Sequence, residues 1–237
     1  MTPLPLGRRL IAEGLGTLLL VATVVGSGIA AASLSPGNVG LQLLENALAT
    51  GAVLFVLIAT LGPVSGAHFN PVVTGVDAWL GGLPRRDALP YVVVQVVGAC
   101  LGAVLANLMF GLSAVSVSTH ERTGSALWLS EVVATFGLLL VILGLVRAGR
   151  SSWIPAAVAS YIVGAYWFTA STSFANPAVT IGRTLSDTFA GIAPSSVPAF
   201  VVAQVLGGVL ATAVVLVIWP RHTPAVAVAI DVQEETR

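Results

Sequence analysis

The chain has 237 residues, 56% of them hydrophobic and only 8% charged, with a mean hydropathy of +0.96. Soluble domains carry roughly 25% charged residues, so this composition belongs in a membrane. Ten basic and ten acidic residues cancel, and there is a single cysteine, Cys100, in an apolar run; these exclude a basic nucleic-acid surface, a disulfide framework and a thiolate metal site, and no metal or cofactor is expected.

Crossing a ~30 Å hydrocarbon core takes about 20 apolar residues. Six segments qualify: 10–32, 42–64, 88–111, 127–148, 153–172 and 196–219. The first follows Arg8 and Arg9 and ends in "GIAAAS", which resembles a signal peptide. It is longer than the ~7–15 residues of a signal core, so it reads as a retained span. Turn-forming stretches such as "SLSPGNVG", "GGLPRRDALP" and "GIAPSS" separate the segments. The tail from 220 to 237 reads as solvated.

All ten basic residues are arginines. Arg8, Arg9, Arg85, Arg86, Arg147, Arg150, Arg221 and Arg237 fall on one side of the predicted spans; only Arg122 and Arg183 fall on the other. The positive-inside rule then places both termini in the cytoplasm.

The two halves repeat one another. Glu13 opens span 1 in "AEGLGTLLLV" and Glu131 opens span 4 in "SEVVATFGLLLV". "SGAHFNPVVTG" then matches "STSFANPAVTIG", and Gln95 in span 3 matches Gln204 in span 6. Three spans per copy is an odd number, so the second copy is inverted in the membrane. Inverted repeats place a functional site near the midplane, between the halves. Gly98 and Gly102, echoed at Gly207 and Gly208, predict close helix crossings.

Asn is among the best helix N-caps, and Pro fits the first helical position. Asn70-Pro71 and Asn176-Pro177 therefore each start a short helix, predicted over Asn70 to about Leu80 and Asn176 to about Asp187. Neither is long enough to span, and such a segment is tolerated at membrane depth only in protein or against a water-filled cavity. Entering from opposite faces, the two would meet at their positive ends.

Two Asn-Pro half-helices, paired glutamates and an inverted three-span repeat resemble the aquaporin, or major intrinsic protein, family. The resemblance runs from about Leu10 to Trp219. It implies an all-α membrane fold of six spans and two re-entrant half-helices, a single channel domain over 1–219 (repeats at about 10–111 and 127–219), and a homotetramer in the inner (plasma) membrane. Asn70 and Asn176 would donate hydrogen bonds into the pore and break a proton wire. Glu13 and Glu131 would support the re-entrant loops, and Gly66, Ala67, His68 and Thr172 would offer backbone to the pore.

In this family a constriction lies 20 residues before the first asparagine, and 12 before, three before and three after the second. Those positions are Thr50, Gly164, Ser173 and Val179. The last is usually arginine; valine removes its charge and its fork of donors. Small neutral groups imply a wide filter. Arg183, four residues beyond Val179, has two readings: an outer cationic group of the pore, or an i,i+4 ion pair with Asp187. The ion pair is preferred. Thr172, Ser173 and Phe174 stand where the family often has glycine, which leaves that loop's backbone open.

The reading is a passive channel for water and small uncharged solutes, glycerol-type polyols and neutral metalloid acids such as arsenous acid. Certain bacterial members without the filter arginine resemble this chain and are associated with arsenic resistance. The alternatives are a water-selective aquaporin and a secondary transporter, which also uses broken helices. An intramembrane hydrolase is disfavoured, since no G-x-S-x-G elbow accompanies the three histidines.

Overall fold

The computed structural model describes residues 4–219, so the predicted tail, with Arg221, His222 and Arg237, lies outside the described residues. Every regular element among them is helical. The first repeat consists of α1 (Leu6–Leu34), α2 (Val39–Ser65), α3 (Pro71–Leu80) and α4 (Arg85–Met109). The second consists of α5 (Ser125–Arg147), α6 (Ile154–Phe168), α7 (Pro177–Gly182) and α8 (Val197–Ile218).

Each predicted span is a helix. α1, α2, α4, α5 and α8 (the last with its preceding 3-10 turn) are long and apolar enough to cross a membrane. α6, with 15 residues, falls short of that length and is led in by a 3-10 turn at Ser151–Trp153. It stops four residues before the predicted end at 172. Thr169 closes it by bonding the Ala165 carbonyl through both N–H and Oγ1. Beyond that point Ser171 is drawn away, to the Glu131 carboxylate.

The repeat is visible in the packing. α1 lies along α4, and α5 lies along α8. These seams are close because glycine lines them: a Cβ at Gly98 would collide with the Gly14 carbonyl, and one at Gly207 with the Val132 carbonyl. Across the repeats α2 meets α6, α3 meets α8 and α4 meets α7. The outer flanks present exposed aliphatic residues such as Val97, Leu101, Val205 and Leu210, the surface that a lipid environment solvates at no cost.

Both short helices begin as the Asn-Pro pairs predict. Asn70 and Asn176 have extended backbones, and their side-chain oxygens accept from Val72 N–H and from Ala178 and Val179 N–H. Such caps contribute about 1 kcal/mol each. α3 ends at Gly81 in the left-handed region (φ 89°). The second half-helix is shorter than predicted: α7 stops at Gly182, and a 3-10 turn carries the chain through Arg183–Leu185. Loop contacts are the cause. Ser116 and Ser118 N–H bond the carbonyls of Leu185 and Thr184, and Asn107 Nδ2 also reaches the Leu185 carbonyl. The α-helical pattern is broken where this outside partner takes over.

Candidate functional site

The two re-entrant loops are held by matching carboxylates. Glu13 accepts from Ser65 Oγ (2.6 Å), His68 N–H (2.9 Å), Phe69 N–H (2.8 Å) and Gln95 Nε2 (2.8 Å). Glu131 accepts from Ser171 Oγ (2.6 Å), Phe174 N–H (2.9 Å), Ala175 N–H (2.9 Å) and Gln204 Nε2 (2.7 Å). Both glutamates are fully buried. Among the described residues neither forms an ion pair with an arginine or histidine. Four donors replace the water each carboxylate has lost, and hydrogen bonds to a charged group are the strong kind.

The loop backbones repeat as well. Ala67 and Phe69 have φ of 50° and 49°, and their counterparts Ser173 and Ala175 have 51° and 49°. Thr172 takes φ 60° where the first repeat has Gly66 at 93°. The sequence left this loop open because glycine is missing there; the same backbone forms anyway. Holding non-glycine residues in the left-handed region costs roughly 1–2 kcal/mol each, which the glutamate bonds offset.

The loops then clasp one another. Asn70 Nδ2 donates to the Ala175 carbonyl at 2.7 Å, and Asn176 Nδ2 donates to the Phe69 carbonyl at 2.7 Å. An amide nitrogen carries two hydrogens, so each asparagine keeps one after this exchange. Both asparagines border one cavity of about 470 Å³ that runs between the repeats.

Helical stripes line that cavity. Thr50, Leu54 and Ile58 come from α2; Val158, Ile162 and Tyr166 come from α6; each set is spaced i, i+4, i+8. α1 supplies Leu20 and Val24, and α5 supplies Leu138, Ile142 and others. Gly66, Ala67, His68, Ser173, Val179 and Arg183 also border it. Thr172 does not; only its successors in the loop do.

Gly164 is a correction. It is exposed, and a Cβ placed on it would meet nothing within 4 Å. Two residues on a helix subtend about 200°, so Gly164 lies opposite the stripe carrying Ile162 and Tyr166. Counting 12 back from Asn176 assumes a loop length that the early end of α6 does not keep. Tyr166 is the residue missed: buried, lumen-facing, and within 3.3 Å of Thr50 Oγ1 through its hydroxyl. The lumen at this level holds a phenol where a wide opening was expected. The i+4 pattern from Ile162 was the signal that could have found it.

The preferred ion pair of Arg183 is a second correction. Asp187 is engaged elsewhere, accepting from Thr119 N–H (2.9 Å) and Thr119 Oγ1 (3.1 Å). The Thr119 N–H bond holds its carboxyl below the ordinary aspartate range. Arg183 instead turns inward. It is 3% exposed, its Nε donates to the Ala190 carbonyl, and its guanidinium carbon lies 3.5 Å from the centre of the Phe174 ring.

His68 bonds Thr74 Oγ1 through Nδ1 (3.1 Å) and faces Asp77 through Nε2 (3.4 Å), so its contacts are local. Among the described residues no group of three His, Cys, Asp or Glu is arranged to hold a metal ion.

A lumen between inverted repeats, crossed by two capped half-helices, defines a membrane channel of the aquaporin type. The chain belongs to the major intrinsic protein family: residues 2–169 match the family model described as "Major intrinsic protein". It is 54% identical to the aquaglyceroporin AqpS of Rhizobium meliloti, over 90% of this chain and 91% of that protein. It is 34% identical to the aquaporin AqpM of Methanothermobacter marburgensis, over 87% of this chain and 95% of that protein. Among solved structures it is similar to the aquaglyceroporin of Plasmodium falciparum, with a TM-score of 0.68, 22% identity, and coverage of 88% of this chain and 95% of that one. That last likeness concerns the fold.

Proposed function

We propose that this protein is a passive channel, and not an enzyme, that passes water and small uncharged solutes such as glycerol. The observation that carries the reading is the pair Asn70 and Asn176. Each is fixed by the opposite loop and keeps one amide hydrogen at a single continuous, otherwise largely aliphatic cavity. A water oxygen accepting from both asparagines cannot relay a proton, and the positive ends of α3 and α7 oppose cations there. Thr50, Tyr166, Ser173 and Val179 form the constriction under this reading, with Val179 where the family usually has arginine. Similarity to a relative named as an aquaglyceroporin supports glycerol-type solutes. Neutral metalloid acids such as arsenous acid share the small hydroxylated shape.

The arginine distribution supports an orientation with both termini cytoplasmic in the inner membrane. Family membership supports a homotetramer. A water-selective channel is the second reading, favoured by the bulk of Tyr166 in the lumen. Stopped-flow swelling of liposomes containing the protein, with water, glycerol, urea and arsenous acid, decides between them. Non-saturating glycerol flux without a coupling ion is the expected result; water flux alone would establish the second reading.

A further inference from the structure

Val179 leaves the constriction without a cation, yet a cation stands one turn further along. The two re-entrant segments correspond residue by residue with an offset of 106: His68 with Phe174, Asn70 with Asn176, Thr74 with Thr180, Asp77 with Arg183. In each copy the residue seven past the asparagine packs on the ring two before it. Asp77 faces the His68 imidazole at 3.4 Å, and Arg183 lies 3.5 Å over the Phe174 ring. All four border the cavity. Each mouth thus carries a ring and a charge at the same structural place, with the sign reversed.

Arg183 is the more constrained of the two charges. It is buried and, among the described residues, has no carboxylate partner. A buried cation without a counter-ion is costly unless something else solvates it. Ala190 takes Nε and Phe174 takes one face of the guanidinium, which leaves the two Nη groups without a protein acceptor among the described residues. An independent feature lies beside the same lumen: Ser173, 4% exposed, has a hydroxyl with no hydrogen-bond partner. Two unclaimed donor groups bordering a cavity are suited to a passing molecule that brings its own oxygens.

We propose that Arg183, with the Ser173 hydroxyl, is the solute-discriminating donor station of this pore, set one helical turn outward of Val179. Its ligands are small neutral solutes bearing two or more oxygen atoms, which take the Nη fork and the hydroxyl together. This rests on the channel reading and deepens it.

The test is glycerol and water permeability of the full chain in liposomes. Arg183→Gln is expected to lower the glycerol-to-water ratio by about threefold or more, because the fork that takes the solute's oxygens at the mouth is gone. Arg183→Lys keeps the charge without the planar fork; it is expected to shift the ratio in the same direction, and it keeps the question answerable if the glutamine variant misassembles. Ser173→Ala is expected to give a smaller shift of the same sign. An unchanged ratio in either correctly assembled Arg183 variant overturns the proposal; an unchanged ratio in Ser173→Ala removes the hydroxyl from it. A wild-type protein that passes neither molecule overturns the channel reading and this inference together, whereas a conducting wild type with unmoved Arg183 variants overturns this inference alone.

Discussion

The two re-entrant loops are nearly the same object built twice from different residues. Their frames coincide: a glutamate with four donors, a glutamine from the last helix of the repeat, left-handed residues at matching places, and an asparagine cap. Their lumen-facing groups differ. Where one loop puts a histidine against an aspartate, the other puts a phenylalanine under an arginine. Thr74 hydrogen-bonds the His68 ring, whereas its counterpart Thr180 donates to the Asn176 carbonyl within its own helix. The frame is therefore built from residues that match between repeats, while the groups bordering the cavity differ.

Breaking the shared frame should have the largest effect. Glu131→Ala would strand two backbone N–H groups, a serine and a glutamine in the protein interior. A loss on the order of 4 kcal/mol is expected, seen as a collapse of thermal stability in detergent. Glu13→Ala should behave alike, because its donors are the same in kind. A mild phenotype in one and a severe one in the other would show that the repeats do not share their support.

Next come the asparagines. Asn70→Asp or Asn176→Asp turns a donor into a carboxylate facing the Ala175 or Phe69 carbonyl, so the clasp becomes a repulsion. Water and solute flux should fall at least about tenfold, the effect of ~1.4 kcal/mol or more on passage, or a cation leak should appear. Unchanged flux with no ion current in both variants would remove these residues from the pore.

Val179→Arg is expected to cut glycerol permeability more than water permeability, by about three- to tenfold in the ratio, since it adds a long cation to the cavity that Tyr166 also lines. Stopped-flow measurements on both solutes would check it. The smallest effect belongs to Tyr166→Phe, which removes the hydroxyl bonded to Thr50 at a cost of about 1 kcal/mol and should change glycerol flux two- to fivefold. Its companion Gly164→Ala, on the exposed face, should leave flux at the wild-type value. A reversal of that order would put the constriction on the other side of α6.

The spans and half-helices were legible because they follow from local chemistry. Runs of apolar residues mark the spans, and Asn followed by Pro marks a helix start wherever it is found. The glutamate and glutamine pairs were legible through repetition alone. Gly164 and Arg183 were not, for one physical reason. Gly164 was placed by the family's spacing and Arg183 by counting along an assumed helix, and each count crossed a point where the helix ends early. Thr169 closes α6 against Ala165, and Ser116 and Ser118 pull the chain beyond Gly182 into a tighter turn. The partner that frees Arg183 from Asp187 is Thr119, 68 residues away in sequence, a distance no spacing rule covers.

The clasp between the loops has a consequence for how the molecule is made. Asn70 finds its acceptor at Ala175, and Phe69 finds its donor at Asn176. When the ribosome has finished the first repeat, that half holds an asparagine and a carbonyl whose partners do not yet exist. The nascent half-protein can insert its three helices in the bilayer and tie its re-entrant segment to Glu13, but the Asn70 amide and the Phe69 carbonyl stay unpaired until Ala175 and Asn176 have emerged and inserted the other way up. A chain truncated after α4 is accordingly no half-pore. It is a membrane intermediate with one buried amide and one buried carbonyl still waiting for partners.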